Sequence, residues 1–134
     1  MNLRFAFPLL VLFLAAPAFA QEPPSIESMA QVKQGEKAQL DLQTIRRYGD
    51  VQGRFEVVVA WADPSVAPPE GQARRRVRYM ANCEEGTMTL AAVGVFGSDG
   101  QVLKSMVAPP GSLDAVKPEK GSEEAKWLRR VCMF

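Results

Sequence analysis

Apolar residues are arranged along this chain in three different ways, and each arrangement predicts a different structure. The first is a nearly unbroken run of about twelve residues, Phe5 to Ala16, preceded by Arg4 and followed by Ala18-Phe19-Ala20. A positive residue, an apolar run and a small-x-small triplet in that order form a secretory signal peptide, with cleavage predicted between Ala20 and Gln21. A helix that spans a bilayer needs about twenty such residues, so cleavage is favoured over anchoring.

The second arrangement is alternation. Ala38-Gln39-Leu40-Asp41-Leu42 predicts a short strand, which leads through Thr44-Ile45 to a polar turn over Arg46 to Asp50. Arg54 to Ala62 carries the strongest strand signal, with Phe55, Val57, Val59 and Trp61 on one face and Glu56, Val58 and Ala60 on the other. Pro64, Pro68, Pro69 and Gly71 then break any ladder, so Asp63 to Gln72 is a loop. Alternation resumes over Ala73 to Cys83, where Val77, Tyr79, Ala81 and Cys83 share one side and Arg74, Arg76, Arg78, Met80 and Asn82 the other. Cys83 therefore points toward the core. Glu84-Glu85-Gly86 connects to a strand over Thr87 to Phe96, and Ser98-Asp99-Gly100 predicts a hairpin to a returning strand over Gln101 to Val107.

The third arrangement is helical. In Gly121 to Cys132, Ala125, Leu128 and Cys132 form one stripe that Trp127 and Val131 widen. Ser122 is the predicted N-cap, with acids in the first turn and bases in the last. The fold class is α+β: an antiparallel sheet of four to five strands with a C-terminal helix on one face and one disulfide. Residues 1–20 are the signal peptide, 21–30 a flexible Pro- and Glu-rich lead, and 31–134 a single domain with order beginning near Gln31.

Charge narrows the range of partners. Arg4 is the only charged residue of the signal peptide, so cleavage leaves fifteen Lys plus Arg against fifteen Asp plus Glu. A neutral domain has no global field to steer it onto nucleic acid or an anionic membrane, and any electrostatic recognition is local. No later apolar run approaches a membrane span. No cysteine stands at the cleavage site to carry a lipid, so the periplasm or the cell exterior is the expected location.

Two cysteines in an exported chain predict a disulfide between Cys83 and Cys132; the alternative is a pair of buried free thiols. They stand 49 positions apart. Closing a loop of that length removes denatured-state entropy worth about 4 kcal/mol. No Cys-x-x-Cys pair and no histidine occur, so neither a metal nor any other cofactor is expected.

The same absence of histidine removes the imidazole-dependent nucleophilic sites and most zinc catalysis. Glu84-Glu85 and Glu123-Glu124 are adjacent pairs whose side chains diverge on a strand or helix, so they do not flank one scissile bond. The one pattern with recognition chemistry is Arg74, Arg76 and Arg78. At period two on a strand their guanidinium groups form a row with a spacing of roughly 7 Å. Such a row suits sulfate, phosphate or a carboxylate-rich partner segment. It equally suits a solvated sheet face whose arginines pair with cross-strand acids such as Glu56. Met80 and Met88 are candidates to extend that face, or to fill gaps in the core.

Leu40-Asp41-Leu42-Gln43-Thr44-Ile45-Arg46-Arg47, Tyr79 through Asn82-Cys83, Gly100 at the hairpin, Pro109-Pro110-Gly111-Ser112 and the closing Val131-Cys132 together resemble the surface-adhesin protein E family of exported proteobacterial proteins. The resemblance implies an antiparallel sheet with a packed helix, a disulfide between the matching cysteines, and attachment to host matrix and serum proteins. Two departures from that pattern are the missing lipid-attachment cysteine and Leu113 near an expected aromatic. The expected function is a non-enzymatic binding or interaction module for a protein or polyanion partner, with a dimer among the open oligomeric states. The alternatives are a structural, envelope-maintenance protein and a small carboxylate-based hydrolase.

Overall fold

A computed structural model describes residues 23–69 and 73–134, so the predicted signal peptide, with Ala18, Ala20 and Gln21 of its expected cleavage site, lies outside the described residues. The elements run α1 (Ile26–Ala30), β1 (Glu36–Tyr48), β2 (Gln52–Trp61), β3 (Arg74–Asn82), β4 (Thr87–Phe96), β5 (Val102–Val107) and α2 (Glu123–Cys132). The five strands form one antiparallel meander in sequence order. This is the α+β architecture that the alternating and helical segments predict. Asp-Gly at the β4–β5 hairpin supplies the positive φ that the turn needs, with Gly100 at +83°.

Order starts earlier than Gln31. Ser25 caps α1 by accepting the Ser28 N–H, and Met29 from that single turn is buried in the core, where the composition of 21–30 predicts a flexible lead. Met29, with Ile26 and Ala30 packed against the core beside it, anchors a segment that is otherwise too polar to order itself.

The buried face of the sheet carries Phe55, Val57 and Val59 from β2, Val77 and Ala81 from β3, and Met88 and Val93 from β4. Odd-numbered residues of β3 and even-numbered residues at the start of β4 share this face because Ala81 pairs with Met88 and Tyr79 with Leu90. A one-residue bulge in β4 then shifts the parity, so that Val77 pairs with Val93. The hairpin register thus places Met88 inside, opposite Ala81, and only Met80 lies beside the arginines.

β1 is longer than its alternating core suggests. Between Asp41 and Arg46 the register against β2 slips, and the break is stitched by side chains: Asp41 Oδ1 accepts the Gln43 N–H, and Thr44 Oγ1 accepts the Glu56 N–H at 2.8 Å. Ile45 re-enters the core beyond the irregularity at 2% exposure.

α2 lies across β2 and β3 and buries Trp127, Leu128 and Val131. Each such side chain contributes about 1.5–3 kcal/mol when removed from water. Ser122 accepts the Ala125 N–H as the predicted cap, worth about 1 kcal/mol. The other end is held by Arg47, whose Nη1 donates to the carbonyls of Val131 and Cys132 and whose Nη2 donates to Asp50 O. Val131 Cγ1 sits so close to the β1–β2 hairpin that a Cβ on Gly53 would lie 3.3 Å from it. Cys132 is bonded to Cys83 at the end of β3, with 5.5 Å between the Cα atoms, so the predicted staple joins helix and sheet.

Candidate functional site

The arginine row forms as its period requires, on the sheet face opposite α2. Arg74 is exposed and Arg76 and Arg78 are partly so, their side chains keeping 37% and 43% exposure. The last two are engaged within the molecule. Arg76 Nη1 lies 3.0 Å from Asp41 Oδ2 and 3.4 Å from Glu56 Oε2, while Arg78 presents Nε and Nη2 to Glu56 Oε1 at 3.1 and 2.9 Å. Asp41 and Glu56 are direct cross-strand neighbours, so Arg76 bridges two like charges that would otherwise repel. The Arg76 hydrogen bond holds the Asp41 carboxyl below its usual range, and the same bond raises Arg76. Arg74 has no ion-pair partner among the described residues; it borders a shallow cleft of about 570 Å³ with Trp61, Pro64, Pro68 and Phe96. Among the described residues, an anion at this row therefore meets one guanidinium without an ion-pair partner and two that are shared with carboxylates.

Arg75 is the arginine that the row leaves out. It lies on the Val77 side of β3 at 6% exposure, and its Nη2 donates to Glu36 Oε1 at 2.7 Å and to Gln31 O at 2.9 Å. Glu36 also accepts the Lys33 N–H. The signal was present in the alternation, since residue 75 shares the parity of Val77 and Tyr79. Residue type argues for the surface and masks it.

The second surface lies on the helix side. α1, the N-terminal end of α2 and the segment after β5 do not close over β3 and β4, although Val116 bridges to Met88 with two backbone hydrogen bonds of 2.9 Å. They leave a cleft of about 840 Å³ floored by Tyr79, Met88 and Leu90. A second hollow of about 480 Å³ continues it between α1 and α2 toward Val32 and Ala38, sharing Glu27, Tyr79, Leu90 and Glu124 with the first. The Tyr79 ring stacks on Phe55 at 5.4 Å and tilts against Trp127 at 6.4 Å. Burial, reinforced by the Glu124 charge, pushes its phenol up to about 12, so it stays a proton donor at neutral pH.

The adjacent acid pairs go to separate places. Glu84 and Glu85 sit on a turn whose N–H groups both donate to Asn82 Oδ1. Glu123 pairs with Lys126 on the exposed side of α2, while Glu124 faces the cleft. Among the described residues, no group of three or more His, Cys, Asp or Glu is placed to hold a metal, and no helix is long and apolar enough to cross a membrane. Comparisons with protein-family models, with curated proteins and with solved structures each return no match.

Proposed function

We propose that this chain is an exported, non-enzymatic binding module, adhesin-like in that it engages extracellular or envelope macromolecules. The observation that carries this proposal is the uncovered cleft on the helix side of the sheet. A domain whose only task is to be stable gains by closing such a surface, since each buried apolar group adds stability. Here the floor residues Tyr79 and Leu90 keep partial exposure while the acids beside them are solvated. The disulfide is compatible with an oxidising compartment, and the predicted signal peptide points to the periplasm or cell exterior. No histidine is available anywhere in the chain as a base at neutral pH.

The test is surface plasmon resonance of the mature domain, residues 21–134, against purified matrix and serum proteins and isolated envelope components. Saturable binding to at least one of them is expected at micromolar concentrations. If none binds and deletion of the gene weakens the envelope, the structural, envelope-maintenance role replaces the proposal.

A further inference from the structure

The cleft combines an apolar floor with a strongly one-signed rim. Glu27, Asp114, Glu119 and Glu124, all exposed, line it against a single lysine, Lys117. In a mature domain of zero formal charge, three net negative charges around one hollow imply compensating positive charge elsewhere. Part of it lies on the opposite sheet face, where Arg54, Arg74, Arg76 and Arg78 outnumber Asp41 and Glu56 by two. The two faces are thus polarised in opposite senses.

An aromatic floor below carboxylates is the environment that holds a cation on an apolar stem: the ring and aliphatic groups cover the stem while the rim neutralises the head. A lysine or arginine side chain has that construction. The hollow also continues into the second one, so that the two together are lined from Leu113 and Pro118 through Tyr79 to Val32 and Ala38. An elongated hollow open along its length accommodates consecutive residues of a polypeptide.

We infer that this groove binds a segment of a partner protein in which apolar residues alternate with lysine or arginine, the basic side chains meeting Glu27 and Glu124 and the apolar ones resting on Tyr79, Met88 and Leu90. The inference rests on the binding function proposed above and assigns that function to this side of the sheet. It also predicts the sign of the charge that the partner must carry. Tyr79 contributes a hydroxyl that donates to a backbone carbonyl of the bound segment.

The test uses the mature domain and two fluorescein-labelled decapeptides, one alternating leucine with lysine and one alternating leucine with glutamate, followed by fluorescence anisotropy. The basic peptide binds and the acidic one does not, and raising salt from 50 to 500 mM weakens binding at least tenfold. Glu27 and Glu124 are exposed, so Glu27→Gln with Glu124→Gln leaves the melting temperature in place and weakens the basic peptide at least tenfold. Tyr79→Phe, which keeps the ring, weakens it less. Equal binding of both peptides overturns the inference, as does unchanged affinity in the double variant. Displacement of the peptide by dodecylamine but not by the unlabelled peptide overturns it in favour of a small cationic amphiphile. The binding function and its location fail separately: if the double variant still captures the same matrix or serum protein as the wild type, the module binds elsewhere and only the groove is excluded.

Discussion

Arg75 and Arg76 are neighbours of identical chemistry with opposite fates. Arg75 is sealed inside beside Glu36, whose side chain is 2% exposed, and its Nε finds no partner among the described residues. Arg76 stands on the other face, more than a third exposed, and shares its charge between Asp41 and Glu56. Taking a guanidinium and a carboxylate out of water costs several kcal/mol per ion, so the inner pair does little for net stability but becomes costly to break. The outer network is screened by water and salt, and each of its contacts is worth between about 0 and 1 kcal/mol. The difference between the two faces of one strand therefore lies in what happens when one partner is lost.

The face that α2 covers has the most to lose, and its largest single support is covalent. Reduction of Cys83–Cys132 is expected to destabilise the domain by about 4 kcal/mol, lowering its melting temperature by roughly 15 °C or more. Calorimetry with and without reductant measures this. Uptake of two equivalents of thiol reagent by the denatured, unreduced protein would show that the staple does not form.

The next effect is Glu36→Ala, which strands Arg75 in the interior. About 3 kcal/mol is expected, at the lower end for a broken buried pair because Arg75 keeps the Gln31 carbonyl. Replacing both partners, Arg75→Met with Glu36→Leu, should recover most of that loss. Urea unfolding of the two variants separates the cases, and a double variant as unstable as the single one would mean that the ion pair itself stabilises the fold.

Much of the sheet was legible because its interior positions obey period two: Phe55, Val57, Val59 and Val77 are all buried where alternation places them. Ser122 was legible because an N-cap hydroxyl followed by two acids has a local physical cause. What escaped depends on pairs distant in the chain. Arg75 needs Glu36 to enter the core, and Arg47 needs the C-terminal carbonyls of α2. The length of β1 is hidden by the Asp41–Thr44 stitch, which interrupts alternation without ending the strand. The groove is least legible of all, since its floor comes from β3 and β4 and its rim from residues 27, 114, 119 and 124, which no local window joins.

On the outer face, Arg74→Ser with Arg76→Ser and Arg78→Ser is expected to cost only about 1–2 kcal/mol. Most of that arises because Asp41 and Glu56 are left opposite each other without a bridge. The same triple change tests the row as an anion site. Retention of the wild type on heparin at low salt, lost in the variant and in wild type at physiological salt, would establish it, since exposed charges are screened over about 8 Å there. Flow-through of the wild type leaves the row as a solvated, internally paired face. A triple variant that does not fold would contradict the register of β3.

The smallest effect isolates one end of the bridge. Asp41 has a folded-state pKa held below its ordinary value, first by the Arg76 hydrogen bond, which outweighs the opposing cost of burial, and then to a lesser degree by the Gln43 N–H and the Arg76 charge. A depressed carboxyl pKa contributes stability that is fully present above the unfolded value, near 4, and is lost as pH falls through the folded one. Asp41→Asn should therefore cost a few tenths of a kcal/mol at pH 7, discounted for the solvent that reaches this face. The variant also removes the repulsion of Asp41 on Glu56, which offsets part of the lost Arg76 contact. The difference between variant and wild type should shrink as pH drops below 4, because the wild-type carboxyl becomes protonated and resembles the amide. Urea midpoints measured from pH 7 down to pH 3 follow this convergence. A gap that stays constant or widens toward acid would place the Asp41 contribution in packing and not in charge, and would remove the electrostatic distinction between the two faces at its weakest point.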